Sequence, residues 1–126
     1  FFLWPSAWIC WAKSAALFFF VFHFKSNHMI IVRDVFRLKF GKAREAKALI
    51  EESKKLPVQF GTEGRRVLTD LVGPSYTLVL ETNFPSLAVF EQEMGKSMGH
   101  QEWKSWYEKF QVLVDSSYRE IFTLVS

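Results

Sequence analysis

The chain has 126 residues, a formal charge of +3 and one cysteine, Cys10. That length supports one domain rather than two. Lys13 and Lys25 lie in the acid-free opening stretch, so from Met29 onward 14 Lys and Arg face 13 Asp and Glu, which makes no electrostatic case for nucleic acid. The same region has no cysteine, which excludes disulfides, thiolate metal sites and a Cys nucleophile there and is compatible with a reducing, cytoplasmic compartment.

Residues 1–28 are rich in Phe and Trp and raise three readings. A secretory signal needs a basic start and a small-residue cleavage site, and neither is present. A membrane span needs about 20 apolar residues, but Pro5 and Lys13 interrupt 1–24. The third reading is translated upstream sequence or a fragment boundary, because a clean strand pattern starts only after Met29. The expectation is that 1–28 stand outside the working domain, with membrane attachment following only if 1–24 are genuine.

From residue 30 the elements follow in order. A strand over 30–40 alternates from Phe36, with Phe36, Leu38 and Phe40 on one side and Arg37 and Lys39 on the other. A helix over 42–56 puts Ala43, Ala46, Leu49, Ile50 and Ser53 on one face. Glu51 and Lys55 form an i,i+4 pair on it, and Pro57 stops it. After a glycine-containing loop, strands over 65–72 and 75–82 flank the Gly73-Pro74 turn. Ser86 is a helix N-cap, and Leu87, Phe90 and Met94 mark the buried stripe that follows. A second helical run carries Trp103, Trp106, Tyr107, Phe110 and Val114 at helical spacing; Ser116-Ser117 break it before a last strand over 118–125. The order is strand, helix, strand, strand, helix, strand: α+β, ferredoxin-like βαββαβ, with a four-stranded antiparallel sheet and helices on one face.

Such a sheet leaves its other face open. Tyr118, Phe122 and Leu124 oppose Ile121 and Val125 on the last strand, and Tyr76, Leu78 and Leu80 oppose Val79 on the third, so both faces are apolar. A second copy of the sheet on a two-fold axis is the cheapest cover, and a homodimer through the open face is expected.

This order, the stretch Val35-Phe36-Arg37-Leu38-Lys39-Phe40-Gly41-Lys42-Ala43, the helix His100-Gln101-Glu102-Trp103-Lys104-Ser105-Trp106-Tyr107 and the closing Arg119-Glu120-Ile121-Phe122-Thr123 resemble the dimeric α/β-barrel superfamily. Within it, 30–125 look like NIPSNAP-like and antibiotic-biosynthesis-monooxygenase-like domains. The resemblance implies a pocket between sheet and helices, and either a cofactor-independent monooxygenase-like enzyme for a small aromatic or apolar molecule or a non-catalytic dimeric ligand-binding or interaction module. Neither implies a metal or cofactor.

His100, beside Gly99 at the start of an aromatic helix, is a candidate acid, base or ligand, against the plain reading of an exposed helix-start histidine. Trp103, Trp106 and Tyr107 are candidate walls of an aromatic pocket, against simple core. Tyr76 and Tyr118 carry hydroxyls that could orient a ligand or merely sit in water. The candidate catalytic residues are therefore His100, Tyr107 and Tyr76, and the candidate substrate-binding residues Trp103, Trp106 and Arg37. Arg33 and Arg37 share one side of the first strand, as an anion clamp or as structural partners of acids such as Glu81. Arg65-Arg66 lack a Gly-rich phosphate cradle and read as exposed charge.

Overall fold

The structure, a computed structural model, describes residues 29–56 and 63–125. The leader assigned to 1–28 lies outside the described residues. Hydrophobic alternation produces β1 (Ile30–Leu38), in which Ile30, Val32 and Leu38 are buried on the even side. The other elements are α1 (Ala43–Ser53), β2 (Glu63–Thr69), β3 (Thr77–Phe84), α2 (Leu87–Met98), α3 (Gln101–Gln111) and β4 (Val114–Thr123). The sheet order is β2-β3-β1-β4 with every neighbour antiparallel, the ferredoxin-like α+β arrangement.

In α1 the spacing of three and four places Ala46, Ile50 and Ser53 inward, all buried. Glu51 pairs with Lys54 at 2.7 Å rather than with Lys55, because the helix has ended at Ser53 and the chain turns there. Trp106 and Phe110 of α3 are buried four apart and stack at 5.1 Å, and Phe110 meets Phe36 of β1 edge-on at 5.1 Å. The Trp106 Nε1–H donates to the Leu49 carbonyl at 2.6 Å, which ties α3 to α1. These residues and Leu38, Leu78 and Leu113 form one core cluster; Ile30, Val32, Phe84 and Phe90 form a second beneath α2.

Three local expectations shift. The third strand starts at Thr77 because Tyr76 takes φ 61, a left-handed turn conformation costly for a residue with a Cβ. Its ring packs on Phe40 at 5.0 Å and its carbonyl accepts from Leu38 N at 2.8 Å, which hold it there. Leu87 is exposed, so the inward stripe of α2 begins at Phe90. Ser116 and Ser117 do not break the chain: they pair with Arg37 and Phe36 inside β4. The register steps from Arg37–Ser116 to Leu38–Val114, so Asp115 is the extra residue of a bulge, and Val114 belongs to the strand and not the helix.

Ser86 caps α2 as expected, its Oγ accepting from Val89 N at 3.3 Å. Ser86→Ala should lower stability by about 0.5–1 kcal/mol, at the low end for N-caps because this bond is long. A urea midpoint that falls with an unchanged slope would register it. Gly99 and the extended His100 separate α2 from α3.

On the odd side of β1 the chemistry differs. Arg33 meets Glu81 of β3 at 2.6 Å and Glu120 of β4 at 3.7 Å, and Arg66 of β2 reaches Glu81 at 3.1 Å. Around this charge-balanced strip lie Val35, Val79, Tyr118 and Phe122, the last two exposed. The helices pack on the opposite face. Among the described residues no helix is long and apolar enough to cross a membrane.

Candidate functional site

Between the even side of the sheet and the helices lies a cleft of about 590 Å³, a volume suited to a small organic molecule. Its walls are dominated by apolar groups, with Phe84 and Phe90 at one end, Met94 and Met98 along α2, and Trp103, Trp106 and Tyr107 on α3. The walls are built by stacking. Trp103 and Tyr107, one turn apart, lie 4.9 Å apart and nearly parallel, and Phe84 meets Phe90 at 5.1 Å.

The floor is not uniformly apolar. Asp34, on a central strand among Val32 and Phe36, faces the cleft and accepts a 2.5 Å hydrogen bond from Nε of Arg119 on β4, its direct cross-strand partner. The Arg119 guanidinium lies 5.2 Å from the centre of the Phe90 ring. The pair thus supplies a carboxylate held in place by a cation that is itself held by a ring. Arg65 of β2 and Lys104 of α3 add two cations to the lining. Burial pushes the Arg65 guanidinium below the ordinary arginine value, and the Glu51 carboxylate partly restores it. Arg65 is therefore not the plain exposed charge expected of an Arg-Arg pair; the strand period turns Arg66 outward to Glu81 and Arg65 inward.

The sequence candidates divide. Trp103, Trp106 and Tyr107 come together in the cleft wall, and Trp106 is both wall and core. His100 is exposed and outside the lining; its extended backbone breaks the helical phase that would have stacked it beneath Trp103. Tyr76 sits in its left-handed turn, packed on the core, away from the cleft. Arg37 is exposed on the odd side of β1, the opposite face of the sheet. Asp34 and Arg119 escaped the sequence reading. The available signal was an acid at an inward-phased position of a central strand. Among the described residues no group of His, Cys, Asp and Glu is placed to hold a metal ion.

No protein-family profile matches the chain, and no curated protein matches it. Solved structures do. A NIPSNAP family protein from Agrobacterium tumefaciens is 23% identical with a TM-score of 0.70 over 79% of this chain and 89% of that one. A second from the same organism, of unknown function, is 21% identical with a TM-score of 0.71 over 78% and 89%. SnoaB, a cofactor-independent oxygenase from Streptomyces nogalater, is 12% identical with a TM-score of 0.60 over 79% and 95%. The chain has the fold of these NIPSNAP family structures, and shares it with SnoaB.

Proposed function

We propose that the cleft binds a small aromatic or apolar molecule, that the chain oxidises it with dioxygen and no cofactor, and that two copies pair through the open sheet face. The observation that carries the binding reading is the aromatic cleft with a held carboxylate on its floor. Likeness of fold to SnoaB supports the oxygenase chemistry, as an analogy of fold.

In this reading Trp103 and Trp106 sandwich or abut the ring of the substrate, and the Tyr107 hydroxyl orients it. Asp34, not His100, accepts a proton from an activated methylene, while Arg119 fixes the carboxylate. Dioxygen is the oxidant. One of its atoms replaces the two hydrogens of the methylene as a carbonyl, and the other leaves as water, so the substrate supplies all the electrons. His100, Tyr76 and Arg37 have no part in it.

The test is oxygen uptake by the purified chain over a panel of aromatic compounds with acidic methylenes, alongside binding by calorimetry. The expected result is uptake with at least one compound, reduced about 10²–10⁴-fold in Asp34→Asn with the fold intact by circular dichroism. Binding without uptake across the panel would overturn the enzyme reading and leave the non-catalytic ligand-binding module. Absence of binding would overturn both.

A further inference from the structure

We infer that the molecule bound in the cleft carries an anionic head, of the carboxylate class, and that Arg65 with Thr82 receives it. This rests on the reading of the cleft as a small-molecule site and goes beyond it by naming the ligand's charge.

Among the described residues the charges lining the cleft are unequal: Arg65, Lys104 and Arg119 face one carboxylate, Asp34. Their situations differ. Arg119 is neutralised in place by Asp34. Lys104 is exposed, so water serves it. Arg65 is half-buried in the cleft lining, with the Glu51 carboxylate acting on it. A cation withdrawn from water is costly unless anions compensate it, and an anion supplied by a ligand lowers that cost. The loss of solvation outweighs the help from Glu51.

A hydroxyl stands beside it. Between the Glu63–Asn83 and Arg66–Glu81 pairs the register shifts, so Gly64 and Arg65 of β2 together stand opposite Thr82 of β3. Thr82 is buried and lines the cleft. A guanidinium fork and a hydroxyl on adjacent strands suit the two oxygens of a carboxylate. Arg65 and Arg119 come from opposite edge strands, three strand spacings or roughly 14 Å apart. The head at Arg65 and an apolar body reaching across the floor toward Phe90 and Arg119 fill that span.

The experiment is isothermal titration of the full chain with two isosteric pairs, 2-naphthoate against 2-naphthamide and octanoate against octanamide. In at least one pair the acid should bind about tenfold or more tightly than its amide. Arg65→Gln should erase the preference by weakening the acid far more than the amide, and Arg65→Lys should keep part of it. Equal binding of acid and amide overturns the inference while the cleft reading stands. A preference that survives Arg65→Gln overturns the assignment to Arg65. Binding of none of the four overturns the cleft reading, and this inference with it. If Arg65→Gln does not fold, the acid–amide comparison on the unaltered chain and on Arg65→Lys still decides.

Discussion

Trp106→Ala should lower the stability of the domain by about 3–5 kcal/mol, the range for deleting a large buried aromatic. Three effects act together. The indole is 7% exposed and stacks on Phe110, so its removal opens a void against the ring that anchors α3 to β1. Its Nε1–H satisfies the Leu49 carbonyl, which would lose its side-chain donor. It is also a wall of the cleft, so the void merges with the binding space. Trp106→Phe separates these effects. It keeps most of the packing and loses the hydrogen bond, at about 1–2 kcal/mol. Chemical denaturation of the two variants reads both values. If Trp106→Ala cost less than about 1 kcal/mol, the indole would not be a structural tie between the helices. Total stabilities of about 5–15 kcal/mol make the larger loss severe.

The elements whose formation depends on local pattern were legible. Alternation marked β1, the three–four spacing marked the inward stripe of α1, and Ser86 marked the start of α2. Fold class followed from element order. What depends on partners distant in sequence was not legible. Asp34 and Arg119 lie 85 residues apart and meet only because β4 pairs with β1 in one register. Ser116-Ser117 look like a breaker in isolation, yet a ladder against Phe36 and Arg37 satisfies their backbone whatever their side chains prefer. Tyr76 looks like the second residue of a strand, and one left-handed dihedral removes it from that strand. His100 shows the same sensitivity: it stands three residues before Trp103, and a single extended residue takes it off the face that Trp103 shares with Trp106. Candidate sites read from periodicity are thus secure inside an element and fragile at its ends.

Tyr118→Asp should turn a dimer into a monomer. The proposed seam is the odd side of β1 with its neighbours, where Ile31, Val35 and Val79 are flanked by the exposed Leu68, Tyr118 and Phe122. A seam of ordinary size needs about 800 Å² from each partner, and a four-stranded face supplies an area of that order. Most of its charges are paired within the chain. Arg33, Arg66, Glu81 and Glu120 are balanced two against two, and Glu81 is already 5% exposed. Those four charges cancel among themselves, with Arg37 on the same face near the end of β1, and a new carboxylate at residue 118, opposite Val35, would be drawn into the seam at a cost of several kcal/mol. Tyr118 is 57% exposed in the single chain, so the substitution should leave the fold of one protomer nearly undisturbed. Sedimentation equilibrium should give twice the 14.8 kDa chain mass for the unaltered protein and the single mass for Tyr118→Asp. An unaltered chain that sediments at the single mass across micromolar concentrations would mean that this apolar face is stable in water, and the proposed pairing would fall.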